Sequence, residues 1–410
     1  MKKTLSIAAL TGLAMAAGSM ASAQEVHMIM CGGEIREADQ TVITAFEASH
    51  DGVTVNAEAV PWGTCQDKSK TLAAAGDAPA LAYMGSRELA LLAQNDLIVP
   101  VTLTDEEQAA YQPGVLATVT QGGQFWGIPH AFSTKALYLN CDVIEAAGAV
   151  CEAPATWADM YTLAETVTNE LGSEGVAGIG LAAKDFDNTM HQFLNYLYSN
   201  GGEVIDPETG ASVLDSVETR ETLEFYGSLV AVAQNGPTAW ERDALRDLFN
   251  DGKIAMYISG PWGRGQHNDD INQMTVPVPA GPSGVSGTIL ITDSIAVFTG
   301  TGVEDLAMEL AQALTSGEAQ YDLDSSWGLT PILQYENLGF DDPFYIGDAF
   351  WENFTAGIST GKPEPMVTDV KGLQAVFVNM IQGIVLEDDT VDNLVTIAGE
   401  ELAELLAEDS

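Results

Sequence analysis

The sequence predicts an α/β protein built as two lobes, and three features support this fold class. Hydrophobic residues make up 46% of the 410-residue chain and charged residues 18%, which is typical of a globular protein with a substantial core. Segments patterned as strands and as helices alternate after residue 23. No low-complexity linker divides the chain, so we expect it to pass between the lobes more than once.

The N-terminal segment has the pattern of a secretory signal peptide. Lysines at positions 2 and 3 precede an apolar run over residues 5–17, and residues 21–23 (Ala-Ser-Ala) give a small-x-small cleavage pattern. We therefore predict a signal peptide over residues 1–23 and a mature chain that begins at Gln24. An uncleaved membrane anchor is the alternative, but it needs about 20 unbroken apolar residues and the run is shorter.

The mature chain opens with a predicted βαβ unit. Residues 26–30 form a short apolar run that reads as a strand and ends at Cys31. Apolar residues at helical spacing over 35–46 predict a helix, which Gly52 ends, and residues 53–55 resume a strand. Such a unit is the building block of a parallel sheet covered by helices.

The next predicted strand, residues 80–84, opens into Gly85-Ser86-Arg87. Open α/β sheets bind ligands at the carboxyl ends of their strands, so this loop is a candidate binding segment. A helix through 70–75 and a turn at 76–79 precede it. Further helices are predicted at 158–171, 188–200, 216–234, 303–316 and 392–407, and further strands at 254–258 and 289–298.

Four cysteines in an exported protein are expected to form disulfides. Cys141 and Cys151 flank a short predicted helix with a glycine stop, so we predict that they pair. This leaves Cys31 with Cys65, each near a predicted strand, although the sequence alone allows three connectivities. No CxxC motif is present, so a thioredoxin-type redox role has no support.

The charge balance excludes one class of partner. Fifteen Lys and Arg against 59 Asp and Glu give a formal net charge of −44. Phosphate backbones and anionic membrane surfaces repel such a protein, so nucleic acid is not expected as a partner. An acidic surplus of this size is more typical of a whole-surface adaptation to salt than of a single acidic site.

The sequence contains little that is typical of an enzyme. Residues 178–183 fit the GxGxxA pattern, but no amphipathic helix follows them, so a dinucleotide site is not supported. The serine-hydrolase, P-loop and zinc-protease motifs do not occur, and no two of the five histidines have a metal-ligand spacing. Among 59 acidic residues, neighbouring carboxylates arise by chance and do not argue for glycoside hydrolysis. We therefore expect no cofactor, no metal and no catalytic activity.

Tryptophans are placed where they could face a cleft as readily as a core. Sugar rings stack on indoles while polar groups bind their hydroxyls, so a cluster of tryptophans beside polar turns indicates carbohydrate binding. For each tryptophan taken singly, burial in the core is the alternative. The tryptophans at the ends of elements are Trp62, Trp126, Trp240, Trp262, Trp327 and Trp351.

Several segments resemble the family 1 extracellular solute-binding proteins of ABC importers, the maltose-binding-like group. Residues 122–140 (GGQFWGIPHAFSTKALYLN), with 141–148 and 153–168, resemble the stretch most typical of that family. Residues 70–84 (KTLAAAGDAPALAYM) and 248–262 (LFNDGKIAMYISGPW) resemble two more of its segments. Weaker similarity occurs at 327–332 and 361–366, so the matches extend over nearly the whole mature chain.

The resemblance implies a periplasmic-binding-protein fold of a type II-like kind, in which two lobes are joined by crossing hinge strands and close on a ligand in the cleft between them. It places the crossings near residues 132–136, 287–292 and 329–332. The corresponding lobes would comprise residues 24–134 plus 293–328 and residues 135–292 plus 329–410.

The resemblance also implies that loops facing the cleft carry the binding residues. Arg87 and Arg264 are of special interest because cations are rare in this chain, and a guanidinium suits a hydroxyl pair or the carboxylate of an acidic sugar. The residues expected to bind ligand are Gly32, Gly33, Glu34, Trp62, Gly85, Ser86, Arg87, His130, Asp187, Asn188, Trp240, Gly260, Trp262, Arg264, Thr292, Asp293 and Trp327.

The function implied is that of the substrate-binding component of an ABC transporter. Such a protein would be a periplasmic monomer that captures a mono- to oligosaccharide, or a sugar derivative, and delivers it to a membrane permease. An exported glycan-active enzyme using the same cleft is one alternative. A structural or adhesive envelope protein is another, and it would not change its radius with ligand.

Overall fold

The computed structural model describes residues 24–408, so the predicted signal peptide lies outside the described residues. The strands are β1 (Gln24–Cys31), β2 (Val53–Val60), β3 (Leu81–Gly85), β4 (Thr120–Gln121), β5 (Gln124–Phe125), β6 (Ile128–Ser133), β7 (Ala136–Asn140), β8 (Met256–Ser259), β9 (Gln273–Val276), β10 (Ile289–Val297) and β11 (Lys362–Pro363). The α-helices are α1 (Glu37–Ser49), α2 (Trp62–Ala74), α3 (Leu89–Gln94), α4 (Asp105–Ala110), α5 (Cys141–Ala146), α6 (Trp157–Leu171), α7 (Asp187–Ser199), α8 (Val217–Ser228), α9 (Arg242–Asn250), α10 (Gly263–Gln266), α11 (Glu304–Leu314), α12 (Gly317–Trp327), α13 (Ala349–Thr360), α14 (Val370–Val385) and α15 (Val391–Glu408).

The larger sheet has the order β11-β10-β3-β1-β2, and β6 pairs with β10 beside this path. Strand β1 runs parallel to both β2 and β3, as the predicted βαβ unit requires. Strand β10 runs antiparallel to β3 and to β6. The pairing register of β10 with β6 shifts between Asp293 and Ser294 of β10. Such irregularities are common next to functional sites, where they change the direction of side chains.

The smaller sheet has the antiparallel order β8-β7-β9 and belongs to a second hydrophobic core. The first core packs around the larger sheet. The second core contains buried residues of α6, α7, α8, α14 and α15. A third, smaller cluster contains Tyr138, Phe249 and Tyr257. The molecule is therefore an α/β protein, as the sequence predicts, with a separate core around each sheet.

The chain leaves the larger sheet at the end of β6 and enters the smaller sheet at β7 two residues later. The crossing lies beside two other segments of the chain. The N–H of Thr134 donates to Oγ1 of Thr330 at 3.1 Å, and the N–H of Lys135 donates to Oγ1 of Thr288 at 2.9 Å. Three passages of the chain thus meet at the boundary between the lobes.

Helix starts follow their capping residues. Oγ1 of Thr156 accepts from the N–H of Asp159 at 3.2 Å, and the Asp159 carboxylate accepts from the N–H of Thr156 at 3.0 Å. This capping box supplies side-chain acceptors for the backbone N–H groups of Thr156 and Asp159 at the start of α6, and it fixes where the helix begins. The predicted helix at 158–171 starts one residue too late for that reason.

Two predicted elements have different limits in the structure. The helix predicted at 216–234 ends as an α-helix at Ser228 and continues as a 3₁₀ turn over Leu229–Val232. The helix predicted through 70–75 begins at Trp62. The lobe limits stay a prediction. The packing of Leu329, Tyr335 and Trp351 on the first core favours placing the end of the first lobe later than residue 328.

The structure pairs Cys31 with Cys65 and Cys141 with Cys151, which confirms the predicted connectivity. Cα atoms lie 5.4 Å apart in the first pair and 5.3 Å apart in the second. The first bridge ties the carboxyl end of β1, an internal strand of the larger sheet, to the first turn of α2. Within residues 24–408, none of the helices combines the length and the hydropathy needed to cross a membrane.

Candidate functional site

A cavity of about 360 Å³ lies between the two cores, beside the point where the chain crosses. Pockets of roughly 300–1,000 Å³ are the size that proteins use for small molecules. The cavity draws its walls from β3, β6 and β10 of the larger sheet and from α2, α7, α9, α10 and α12. Its lining residues are Trp62, Tyr83, Arg87, Ala131, Phe132, Ser133, Lys135, Phe186, Asp187, Asn188, His191, Arg242, Asp243, Arg246, Trp262, Gln266, Ile291, Asp293, Trp327 and Leu329.

One wall of the cavity is aromatic. The rings of Trp62 and Trp327 lie 6.4 Å apart at 27° to each other, and Tyr83 meets Trp62 edge-on at 5.3 Å. The guanidinium carbon of Arg36 lies 3.1 Å from the centroid of the Trp327 ring, which holds that indole in place. Trp62 remains 42% exposed and therefore offers an accessible apolar surface.

Arg87 occupies the floor of the cavity within a cluster of carboxylates. It follows β3 in a 3₁₀ turn and is only 6% exposed. Its Nη1 lies 3.3 Å from Glu364 and 3.8 Å from Asp293, and its Nη2 lies 3.6 Å from Asp187. A Cβ at Gly85 would lie 2.6 Å from Nη1 of Arg87, so glycine at that position makes room for the guanidinium.

The charged groups of this cluster shift one another's pKa values. Burial opposes the charge of Arg87, but Glu364, Asp187 and Asp293 together raise its pKa above the usual value. Burial alone would raise the pKa of Glu364, yet Arg87 and His191 lower it to about 2. Burial raises the pKa of Asp293, and Glu364 adds to this effect while Arg87 opposes it. Arg87 and Glu364 therefore form a buried, fully charged pair at neutral pH.

Two hydrogen bonds orient the carboxylates of the cluster. Nε2 of His191 lies 2.5 Å from Oε1 of Glu364, and the hydroxyl of Tyr83 donates to Oδ2 of Asp293 at 3.0 Å. Asp293 lies on β10 at the register shift between β10 and β6, and its side chain lines the cavity. Asp187 is the first residue of α7 and Asn188 the second, so the helix start presents both side chains to the cavity.

Two basic side chains lie beside Trp262, which also lines the cavity. Nζ of Lys135 lies 4.6 Å from the centroid of the Trp262 ring, and the guanidinium carbon of Arg242 lies 5.0 Å from it. Lys135 follows β6 at the crossing and is 4% exposed. Burial lowers the pKa of Lys135 to about 7, and the nearby charge of Arg242 adds to this effect.

Seven of the residues expected from the resemblance line this cavity, namely Trp62, Arg87, Asp187, Asn188, Trp262, Asp293 and Trp327. Two more lie behind it and act on its walls. Gly85 makes room for Arg87, and a Cβ at Gly260 would collide with the ring of Trp262. Their role in the structure is therefore steric.

The other expected residues do not line the cavity. His130 is fully buried, and its Nε2 lies 3.2 Å from Asp39, although the geometry is not that of a hydrogen bond. Ser86 shares a buried hydrogen bond of 2.8 Å with Ser294. Arg264 is exposed and pairs with Asp348 at 2.6 Å. Thr292 is buried, Trp240 is half-buried outside the cavity, and Gly33 and Glu34 are exposed.

Several lining residues were not expected from the sequence. Tyr83 lies inside a strand that reads as core, and His191 lies inside a helix. Lys135 could have been found, because a lysine within an apolar crossing segment of so acidic a chain is unusual. The unexpected polar and aromatic lining residues are Tyr83, Ser133, Lys135, Phe186, His191, Arg242, Asp243, Arg246 and Gln266.

Residues 41–339 match the family described as bacterial extracellular solute-binding protein. A putative binding protein of Brucella abortus is 27% identical over 387 residues, which cover 92% of each chain. A solute-binding protein of an ABC transporter from Thermotoga lettingae, solved with α-D-tagatose, superimposes with a TM-score of 0.84 at 21% identity, covering 93% of this chain and 100% of that one. A receptor of Streptomyces glaucescens, solved unliganded and with acarbose, has a TM-score of 0.80 at 20% identity, with 94% and 100% covered. These structures share the two-lobed fold.

Proposed function

Because this chain belongs to the bacterial extracellular solute-binding proteins, we propose that it captures a carbohydrate between its lobes and delivers it to the permease of an ABC importer. The ligand would bind in the cavity at the crossing, and the lobes would close on it by hinge motion. The role requires no cofactor and no chemical step.

The observation that carries the proposal is the pairing of aromatic walls with charged hydrogen-bonding groups in one interlobe cavity. Trp62, Trp262 and Trp327 line this cavity together with Arg87 and Asp293. Indole faces stack on the C–H faces of sugar rings, while carboxylates and guanidinium groups bind hydroxyls. An apolar solute would remove the polar lining groups from water without forming hydrogen bonds to them, which is unfavourable.

Two further facts support the carbohydrate class. The solved proteins with this fold include one with tagatose and one with acarbose. The predicted signal peptide and the two disulfides agree with an exported protein. We accordingly propose that the mature chain acts in the periplasm as a monomer.

The test is a ligand screen on the purified mature protein, with sugars, polyols and sugar acids followed by tryptophan fluorescence and calorimetry. We expect one class to bind with a Kd between about 1 nM and 10 μM, which corresponds to roughly −12 to −7 kcal/mol. X-ray scattering should show a smaller radius with the ligand than without it. A screen in which no carbohydrate binds would contradict the proposal.

The same samples separate a binding protein from a glycan-active enzyme. Each oligosaccharide that binds is incubated overnight with the protein and analysed by chromatography. We expect the sugar to be recovered unchanged in stoichiometric amounts. Release of product at catalytic protein concentrations would assign the cavity to an enzyme.

A further inference from the structure

Lys135 is an unpaired cation in a buried place. Its side chain is 4% exposed, and Nζ donates to Oγ of Ser133 at 2.6 Å. Within residues 24–408, no carboxylate forms an ion pair with this ammonium group. Burying a charge without a partner is costly, so such a lysine gives up its proton more readily unless an anion pairs with it.

The other cations of the cavity already have carboxylate partners. Arg87 is surrounded by Glu364, Asp293 and Asp187. Arg242 uses Nε and Nη2 to bind Asp243, which leaves its Nη1 for another acceptor. Lys135 is thus the cation of this cavity for which the described residues supply no counterion.

The groups that face Lys135 explain why its charge is uncompensated. Arg242 repels it across the ring of Trp262. Asp293 and Glu364 attract it, but from beyond ion-pairing distance and while they are engaged with Arg87. Burial and Arg242 outweigh that attraction and lower the pKa of Lys135 to about 7.

We propose that the carbohydrate is anionic and that its carboxylate or sulfate group binds between Lys135 and Arg242, beside Trp262. This inference rests on the proposed function. An oxyanion there would accept from Nζ of Lys135 and from the unused Nη1 of Arg242, so two cations that now repel each other would share a counterion. The hydroxyls of the ring would face Asp187 and Asp293 at the acidic end of the cavity, which fixes the orientation of the sugar.

Arg87 and Arg264, the two arginines expected from the sequence to suit an acidic sugar, do not bind the anionic group in this proposal. Arg264 is exposed and pairs with Asp348 outside the cavity. Arg87 is surrounded by three carboxylates, so a fourth anion at that position would be repelled. The basic end of the cavity is formed by Lys135 and Arg242 instead.

The experiment compares matched sugars by calorimetry on the mature protein. D-Glucuronate is paired with D-glucose, and D-galacturonate with D-galactose, while the 6-sulfates of both hexoses form the third arm. We expect at least one anionic sugar to bind ten-fold or more tightly than its neutral partner. The carboxylate and sulfate arms then show which oxyanion the site accepts.

Variants locate the anion. Lys135→Met and Arg242→Gln should each weaken binding of the anionic sugar at least ten-fold more than they weaken binding of its neutral partner. Arg220→Gln is the control, because it removes one positive charge from an ion pair with Asp215 and Asp392 remote from the cavity lining. If Lys135→Met does not fold, Arg242→Gln, which changes a half-buried side chain, still decides the question.

The outcomes separate this inference from the proposed function. If neutral sugars bind as tightly as or more tightly than their anionic partners, the inference is wrong and the proposed function stands. If no sugar of either kind binds in the wider screen, the proposed function itself fails. If both variants weaken binding of neutral and anionic sugars equally, Lys135 and Arg242 do not discriminate between charged and neutral ligands, and the inference is again wrong.

Discussion

Nη1 of Arg87 donates to Oε2 of Glu364 at 3.3 Å, although 277 residues separate them along the chain. Arg87 follows the carboxyl end of β3, and Glu364 follows β11 directly. Both side chains are buried at the floor of the cavity. This pair joins two distant segments at the binding site, and its charge state governs the electrostatics of the acidic end of the cavity.

Replacing Arg87 should destabilise the protein strongly. Arg87→Met leaves Glu364, Asp293 and Asp187 without their shared cation, and breaking a buried pair in this way costs about 3–5 kcal/mol of unfolding free energy. Urea unfolding at pH 7 measures the loss. Because the pair lowers the pKa of Glu364 from 4.5 to about 2, its stabilisation is full above about pH 4.5 and is lost as the pH falls from there towards 2, so the difference between variant and wild type should shrink over that range.

Arg264→Met is the matched control for that experiment. Arg264 also pairs with a carboxylate, that of Asp348, but its side chain is 52% exposed. The pair therefore contributes at most about 1 kcal/mol to the unfolding free energy. If both variants lose the same unfolding free energy, the Arg87 cluster does not stabilise the fold as we argue.

Gly85→Ala should disturb the site through Arg87. The added Cβ would lie 2.6 Å from Nη1 and 2.8 Å from Cζ, so the guanidinium must move away from its carboxylates. We expect a loss of roughly 1–3 kcal/mol in unfolding free energy, together with weaker ligand binding. Thermal unfolding and calorimetry measure the two effects. Gly265→Ala is the control, because its Cβ meets no atom within 4 Å, and an equal loss there would remove the steric explanation.

Trp262 should matter more for binding than for stability. It is half-buried at the cavity wall between Lys135 and Arg242. Trp262→Ala is expected to weaken ligand binding by roughly 2–4 kcal/mol, as removal of a central aromatic group does, with a smaller change in the unliganded unfolding free energy. Calorimetry and thermal unfolding of this one variant decide between site and core. Loss of about 3–5 kcal/mol of stability with normal binding would assign Trp262 to the core.

Lys135 gives the unliganded protein a distinctive pH dependence. Its pKa is about 7 in the folded state and near 10.5 when unfolded, so between these values the unfolded chain binds one more proton at this site. The unfolding free energy should therefore rise with pH above about 7, by up to about 1.4 kcal/mol per pH unit from this residue.

Urea unfolding at pH 7, 8 and 9 tests this contribution by comparison with Lys135→Met, which lacks the titrating group. The unfolding free energy of the wild type should increase relative to that of the variant over this range. Parallel pH profiles would show that Lys135 keeps an ordinary pKa and that its burial carries no electrostatic penalty.

Much of the fold could be predicted from the chain because its signals are local. The hydrophobic periodicity of α1 and the apolar runs of β1 and β3 lie within short windows, and those elements form as expected. The first and last residues of the helices were harder to predict. A cap such as Thr156 and the start of α2 at Trp62 depend on single hydrogen bonds and on neighbouring segments of the chain. The four cysteines pair as their spacing and compartment indicated.

The sequence by itself determined the alternation of strands and helices, the disulfide pairs and the resemblance that identifies the family, because each is written in residues close together or in motifs kept in order. Only the tertiary structure decided which side chains meet in the cavity. The sequence placed Tyr83 in a buried strand and His191 in a helix without indicating that they face the cavity, and it placed Arg264 in the cavity, because direction and partners depend on contacts between remote segments. Among the described residues 24–408, Lys135 has no counterion and Arg87 has three, for the same physical reason: charge interactions depend on distance in space, which the order of residues does not specify.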